Sequence, residues 1–447
     1  MITDFLQRFT LKESIKLGIF GLGTVGKGVV EQLRKNGALI SQRLGKELQI
    51  TKAVTANPTK DRGIDLSDIQ ISSDPKDILD DPEIDIVLEL IGGVTDAKSI
   101  VLEALQKGKS VVTANKALLA ECTEEIFNMA YQSKGLFGFE ASVAGCIPVI
   151  REIKSSYSGE KIEEISGIIN GTANYILTSM IEDKADFQVA LKAAQDKGYA
   201  EADPAFDIEG TDTAHKLIIL MDLAFNGLFD LKELYVEGIT KITPLDIEIA
   251  EQFGYTIKLL GKAVNTDKGF EGRVHPTLVK TSNMLASVRG AFNAVAIKGN
   301  FMGPTLSYGA GAGAYPTASA VMGDVIEISR NLLQEAGQLV PPLASMRDQL
   351  SKKKILPMSE VTTEYYLRFS VLDEVGVMSK ITTLLGENDI GIRSMLQKGE
   401  AHSPKDPIHV VIFTHKAIEK NILKALAKID SLQFVAEPTN LIRIDTE

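Results

Sequence analysis

The sequence predicts an α/β fold: a doubly wound parallel sheet, then a mixed α+β domain, then a small ferredoxin-like unit at the C-terminus. Three observations predict it. The turn Gly21-Leu22-Gly23-Thr24-Val25-Gly26 stands between an apolar run and a helical pattern. Short apolar runs alternate with helical segments up to about residue 140. The stretch after residue 364 spells strand, helix, strand, strand, helix, strand.

The bulk properties agree with a soluble, multidomain enzyme. A chain of 447 residues has room for two to four domains, each with its own core. Its 44% hydrophobic and 24% charged content is ordinary for globular protein. A net charge of −11 argues against nucleic acid as a partner, which needs a basic face. No apolar run approaches the roughly 20 residues that span a bilayer, and the N-terminus lacks the features of a secretory signal. Cys122 and Cys146 are too few for a disulfide framework, and the histidines (His215, His275, His402, His409, His415) show no zinc spacing with them. A reduced, cytoplasmic enzyme that binds no membrane is the expectation.

The first strand is expected at residues 15–20, feeding directly into the glycine turn and a helix through Val29, Val30 and Leu33. In that setting the first glycine makes the turn and the second lets backbone approach a pyrophosphate. The third lets the helix pack on the sheet, and the helix N-terminus favours the phosphates. The second strand, residues 48–54, ends in Thr55-Ala56-Asn57-Pro58, with no acid for ribose hydroxyls but with Lys60 and Arg62 close by. This leans toward NADP, whose 2′-phosphate those cations would meet. Strands at 84–90 and 110–113 alternate with helices near 97–106 and 124–131. Ile91-Gly92-Gly93 and Ala114-Asn115-Lys116 fall at strand carboxyl ends, where such sheets bind ligands.

After residues 137–140 comes a turn of small residues, 141–148. Beside Glu140 its carbonyls suit a hard monovalent cation, and equally suit a tight strand-to-helix connection. A second sheet is expected from runs at 165–170, 235–239, 257–264 and 270–274, with helices near 174–181 and 187–197. Residues 198–216 then crowd Glu201, Asp203, Asp207, Glu209 and Asp212 ahead of Lys216. Asp-Pro and Gly210 break the chain there. Asp212 and Lys216 share a helix face, on a helix whose apolar stripe is Leu217, Ile218, Met221, Ala224 and Phe225. Spacing alone leaves a solvated acidic loop and a reaction centre both open. The glycine-rich run 309–313 before Tyr315-Pro316-Thr317 suits close approach to a ligand or a hinge. Residues 341–361, with Pro341-Pro342 and three lysines, read as a linker.

Taken together, the motifs resemble the homoserine dehydrogenase family. Its signature matches from Ala194 through Gly198, Asp203-Pro204, Asp207, Gly210 and Asp212 to Lys216. The Gly-Leu-Gly-Thr-Val-Gly loop, Thr113-Ala114-Asn115-Lys116, Asn170-Gly171-Thr172 and residues 316–320 are similar to its other motifs. The tail from Tyr365 resembles an ACT domain, with Leu372-Asp373-Glu374-Val375-Gly376 as the effector-loop pattern and Asn388 near the next strand. The resemblance implies a Rossmann-type dinucleotide domain over 12–145 and a substrate and dimerisation domain over 146–315. It further implies a helix returning to the Rossmann domain at 316–340, the linker at 341–361 and the ACT unit at 362–447.

The activity implied is NAD(P)H-dependent reduction of L-aspartate 4-semialdehyde to L-homoserine, in threonine and methionine biosynthesis. By the same carry-over Lys216 donates the proton, and Asp212 and Glu201 hold substrate amid Gly171, Thr172, Tyr199, Asp207 and Lys116. The cofactor would lie along Gly21, Gly23, Thr24, Val25, Gly26, Gly92, Lys116, Gly198 and Gly313. Glu140 and the carbonyls of Val143, Gly145 and Ile147 match a monovalent-cation loop, with sodium as the ion. Hydride addition creates a basic alkoxide, so a nearby ammonium supplies both charge and proton. Carboxylates suit the α-ammonium of the substrate and favour the charged lysine. Ala56 stands where many relatives carry an arginine, which leaves NAD, NADP or dual use open. Threonine as effector and a homodimer or homotetramer are further implications. The competing readings are another amino-acid-pathway dehydrogenase and a non-catalytic metabolite sensor; the sensor has no need of Lys216 and its carboxylates.

Overall fold

The computed structural model describes residues 14–399 and 406–445. Residues 12–13, 400–405 (including His402) and 446–447, which the expected domain spans take in, lie outside the described residues. The chain gathers into two compact units. The first holds residues up to 163, 215–231 and 293–353; the second holds 164–214, 232–292 and the chain from 354. The division falls inside the helix Thr211–Ala224, between Ala214 and His215.

The first unit is built on a six-stranded sheet of β1 (Ser14–Phe20), β2 (Glu47–Val54), β3 (Gln70–Ser72), β4 (Ile86–Glu89), β5 (Ser110–Thr113) and β6 (Phe137–Gly138). Its order is β3-β2-β1-β4-β5-β6, parallel throughout. This is the doubly wound arrangement, with its topological switch between β1 and β4. The central strands β4 and β5 are buried at every residue, which is why they read as continuous apolar runs rather than alternating ones. The helix Ala314–Leu333 returns late in the chain and joins the same core: Ala318, Val321, Val325 and Ile328 pack with Ile15, Leu17 and Val29. It comes so close to the first helix, Thr24–Leu44, that a Cβ on Gly28 would stand 2.6 Å from the Ala314 carbonyl oxygen.

In the second unit one sheet runs through Ile162–Ile168, Tyr255–Thr266, Gly269–Lys280, Val435–Ile444, Thr362–Leu372, Pro407–Thr414 and Ile392–Lys398, in that spatial order. The last four strands, with helices Val377–Gly386 and Glu419–Ile429, make the expected βαββαβ unit around Tyr365, Phe369, Ile381, Leu385, Ile422 and Ile429. Its closing strand is Val435–Ile444. That strand also pairs in parallel with Gly269–Lys280, through Thr277 with Arg443 and Leu278 with Ile444. The ferredoxin-like unit thus extends the sheet of the preceding domain.

Several details differ from the sequence reading. Of the strand expected at 235–239, only Tyr235–Val236 joins a ladder. The neighbouring strands Phe292–Gly299 and Gly303–Ala310 are absent from the sequence reading, because Gly303–Ala310 is a half-exposed strand with small residues. Gly309 and Ala310 therefore close a strand instead of opening the loop. The helix Pro244–Gln252 was also unread, although Thr243 and Asp246 form a full capping box at its start. The Thr211–Ala224 helix is buried from Asp212 to Leu223, not along one stripe, because residues 217–221 are apolar all round. Within the expected linker 341–361, Leu343, Leu350 and Ile355 are buried. Among the described residues no helix is long and apolar enough to cross a membrane.

Candidate functional site

In the first unit the glycine turn has the shape a dinucleotide needs. Gly21 has φ +97°, and a Cβ there would meet the Leu90 carbonyl oxygen at 2.6 Å. A Cβ on Gly26 would lie 2.1 Å from the Gly21 carbonyl oxygen, whereas the same atom on Gly23 would meet nothing within 4 Å. The first and third glycines are thus demanded by packing, and the second faces open space. Gly23 precedes the Thr24–Leu44 helix without a side-chain cap, and no acid stands in its first turn. The backbone N–H groups of Thr24 and Val25 begin a helix whose positive end suits phosphate. These residues fit a dinucleotide.

Around this turn the strand ends are tied together. Glu89, fully buried at the end of β4, accepts hydrogen bonds from the Thr113 hydroxyl (2.6 Å) and the Ile91 N–H (3.0 Å). Burial raises its pKa above the usual carboxylate range. Asn115 caps the helix Lys116–Glu121 by accepting from the Leu118 N–H, and its amide donates to the Gly93 carbonyl at 2.6 Å. Gly92 and Gly93 both take φ +72°, a conformation that glycine adopts without steric cost, and a Cβ on either would meet nothing within 4 Å. Lys116 is the first residue of the capped helix, and Gly313 (φ +119°) is the N-cap of Ala314–Leu333. The sequence reading missed Glu89; an acid inside the apolar run Ile86-Val87-Leu88-Glu89-Leu90 was the available signal.

The loop after β2 departs from expectation. Arg62 is buried, and its guanidinium donates to the carbonyls of Lys60 (2.6 Å) and Asn57 (2.7 Å) and to the Thr55 hydroxyl (3.1 Å). It braces its own loop, so of the two cations only Lys60 is exposed.

The loop at Glu140 is tightly built. The Glu140 carboxylate is buried and accepts from the Ile150 and Arg151 N–H groups, each at 2.9 Å. Its own N–H donates to Asp324, which pairs with Arg151 at 3.0 Å. Burial, with the Asp324 charge beside it, pushes Glu140 up to about 8. Ala144 and Gly145 take φ +56° and +58°, turning successive carbonyls, while the Ile147 carbonyl accepts from the Val149 N–H at 2.8 Å. A Cβ on Gly145 would press on the Ala310 and Gly311 backbone at 2.5 Å, and one on Gly311 on Asn293 at 2.1 Å. Asn293 is fully buried there with neither amide atom hydrogen bonded. A desolvated carboxylate among carbonyls is a hard-oxygen donor set that fits a monovalent cation. Among the described residues no cluster of three or more His, Cys, Asp or Glu suits a metal ion.

In the second unit the acidic stretch is organised by Asn170. It caps the helix Gly171–Glu182 by accepting from the Ala173 N–H (2.7 Å), and its amide donates to Asp207 (2.7 Å) and to Asp212 (2.8 Å). One side chain therefore gathers two of the expected carboxylates from 37 and 42 residues away. Asp212 is only 2% exposed. Lys216, 8% exposed, stands one turn further along the same helix. Gly210 (φ +89°) makes the turn before it, packed on Val274 and Val236.

Thr172 donates to the Tyr199 carbonyl at 2.6 Å, and the Tyr199 ring lies 4.9 Å from that of Tyr175. A Cβ on Gly171 would stand 2.8 Å from the Ala291 carbonyl oxygen, so that backbone approach requires glycine. Gly198 (φ +74°) and Glu201 are exposed, and the Glu201 carbonyl accepts from the Gln195 amide at 3.1 Å. His215 is buried, its Nε2 4.0 Å from Glu121. The structure thus joins Asp207, Asp212 and Asn170, and Thr172 with Tyr199.

Comparison with known proteins gives a consistent picture. A family model described as "Homoserine dehydrogenase" matches residues 148–326, one described as "Homoserine dehydrogenase, NAD binding domain" matches 21–140, and an ACT domain model matches 365–434. A curated homoserine dehydrogenase of Neisseria gonorrhoeae is 44% identical over 432 residues, covering 97% of this chain and 99% of that one. A crystal structure of a homoserine dehydrogenase from Thiobacillus denitrificans is similar with a TM-score of 0.91 and 44% identity, covering 97% and 98% of the two chains. A hyperthermophilic archaeal homoserine dehydrogenase in complex with NADPH is similar with a TM-score of 0.59 and 25% identity, over 71% of this chain and 98% of that one.

Proposed function

The chain belongs to the homoserine dehydrogenase family, and on that premise we propose that it reduces L-aspartate 4-semialdehyde to L-homoserine with Lys216 as the proton donor. Its membership makes it an NAD(P)-dependent oxidoreductase with a C-terminal ACT domain. The observation that carries the finer reading is the Asn170 amide, which holds Asp207 and Asp212 together one helical turn from buried Lys216.

When bound, NAD(P)H supplies the hydride. The turn at Gly21, Gly23, Thr24, Val25 and Gly26, with Gly92, Lys116, Gly198 and Gly313, holds the dinucleotide. Asp212, Asp207 and Glu201 bind the substrate's α-ammonium, and Gly171, Thr172, Tyr199 and Lys116 shape the site around it. Asp212 orients and Lys216 protonates: the lysine Nζ gives its proton to the carbonyl oxygen as negative charge builds there. Burial of Lys216 strengthens that electrostatic contact relative to water. Glu140 with the Val143, Gly145 and Ile147 carbonyls would hold a monovalent cation, sodium, whose charge would offset the buried carboxylate.

The same reading places the dinucleotide domain at 12–145, the substrate and dimerisation domain at 146–315, the returning helix at 316–340, the linker at 341–361 and the ACT unit at 362–447. The enzyme is cytoplasmic, a homodimer or homotetramer in threonine and methionine synthesis, and threonine acts on the ACT unit. With Arg62 taken up as a brace, Lys60 is the exposed one of the two loop cations, which supports dual use of NAD and NADP. Turnover assays with L-homoserine against other hydroxy acids test the substrate. Activity confined to homoserine, and a raised KM for it in Asp207→Asn and Asp212→Asn, is the expected result. Equal activity on unrelated hydroxy acids would refute the reading.

A further inference from the structure

We propose that Arg443, on the last strand of the C-terminal unit, is a positioning residue for the substrate-binding carboxylates Asp207 and Asp212, acting through Glu237 and the segment 235–239. Arg443 is almost wholly buried. Its guanidinium donates to Glu237 at 2.6 Å, to the Tyr235 hydroxyl at 3.0 Å and to Glu419, and lies over the Tyr235 ring at 4.7 Å. The Tyr235 hydroxyl in turn donates to Glu237 at 2.9 Å. This closed set fixes the segment 235–239 against the strand Val435–Ile444.

The other side of that segment holds the acidic turn. The Ile239 N–H donates to the Ile208 carbonyl at 2.8 Å. At Gly238 the chains are so close that a Cβ would stand 2.2 Å from the Ile208 carbonyl oxygen and 2.5 Å from the Glu209 Cα. A Cβ on Gly210 would meet Val236 at 3.2 Å and Val274 at 3.1 Å, and the Glu237 N–H donates to the Val274 carbonyl at 2.8 Å. Ile208 follows Asp207 directly, and Gly210 lies two residues before Asp212. Where Arg443 holds Glu237 therefore sets where the Asp207–Asp212 turn sits. Backbone contacts this tight pass a displacement on instead of absorbing it.

A paired charge this buried is also sensitive to loss of its partner. Without the guanidinium, Glu237 and Glu419 lose the cation they share, Glu237 keeps the exposed Lys241 ammonium at 4.0 Å, and the segment must move to hydrate the carboxylates. Glu419 opens the helix Glu419–Ile429 of the C-terminal unit, so Arg443 ties both a strand and a helix of that unit to the turn. The arrangement gives the C-terminal unit a direct mechanical hold on the substrate side of the enzyme.

The inference rests on the reading that Asp207 and Asp212 bind substrate. Arg443→Gln, Arg443→Lys and Glu237→Gln in the full chain test it, by KM for homoserine, kcat, and NAD(P)H affinity from fluorescence titration. Arg443→Gln and Glu237→Gln should each raise the homoserine KM by at least about fivefold with cofactor affinity within about twofold, and the double variant should be no worse than the single ones. Arg443→Lys should restore most of the loss. If Arg443→Gln fails to fold, Glu237→Gln decides alone, since it keeps the side-chain shape. An unchanged homoserine KM in Glu237→Gln, beside a raised one in Asp207→Asn, overturns the positioning role alone. An unchanged KM in both Asp207→Asn and Asp212→Asn overturns the substrate reading and this inference with it.

Discussion

Replacing Asn170 with alanine removes three hydrogen bonds with separable consequences. The helix cap to Ala173 is worth about 1 kcal/mol of stability. The two bonds donated to Asp207 and Asp212 go to charged acceptors, worth about 1.5–3 kcal/mol each when fully desolvated. Asp207 is only partly buried and recruits water when the amide is gone, so the summed loss of stability should come to about 2–4 kcal/mol. Function should suffer more, because two carboxylates without their shared donor repel and spread. A misplacement of about 1 Å costs on the order of 10²-fold in turnover efficiency. Serine caps helices nearly as well as asparagine but cannot reach either carboxylate. Asn170→Ser should therefore recover about 1 kcal/mol of stability over Asn170→Ala while keeping the loss in kcat/KM for homoserine. Denaturant unfolding and steady-state kinetics on the two variants check this. Wild-type kcat/KM in Asn170→Ser would reduce Asn170 to a helix cap and refute the reasoning.

Two other perturbations have defined outcomes. Lys60→Ala should lower kcat/KM with NADPH by up to about fivefold, the scale of one exposed charge contact, and leave NADH unchanged. Arg62→Ala, which unties the loop from three acceptors, should lower kcat/KM with both cofactors; a loss confined to NADPH would mean that Arg62 meets the 2′-phosphate after all. Lys258 is fully buried against Asn174 and the Val288 carbonyl, and burial lowers its pKa to about 8. Between that value and the unfolded lysine value the unfolded chain binds the extra proton, so this group adds stability as pH rises from 8 to about 10.5. Lys258→Met should flatten that rise, by up to about 3 kcal/mol across the interval in unfolding titrations; an unchanged slope would show that the ammonium stays charged.

Sequence was most informative where one short stretch both carries the chemistry and dictates its own geometry. The glycine turn is such a case: steric demand at Gly21 and Gly26 and open space at Gly23 follow from three residues and their flanks. The ferredoxin-like unit is another, since each of its elements has its own period and boundary residues. Asn170 was visible as part of a motif, yet its role as the donor shared by Asp207 and Asp212 depends on contacts across 37 and 42 residues that no local pattern encodes. Arg62 looked like a phosphate ligand because sequence shows its charge and hides that its own loop consumes every donor in use. The strand Gly303–Ala310 escaped notice because its half-exposed, glycine-bearing sequence lacks the alternation that marks a strand. The pairing of Arg443 with Glu237 belongs to the same class of long-range facts.

The most direct test is Lys216→Ala, assayed for both turnover and cofactor binding on the same preparation. The account predicts that kcat for homoserine oxidation and semialdehyde reduction falls by about 10²–10⁴-fold, the usual worth of a positioned proton donor. NAD(P)H affinity should stay within about twofold, since the glycine turn and its helix are untouched. Turnover within a few-fold of the wild type, with cofactor affinity retained, would contradict the assignment of Lys216 as proton donor.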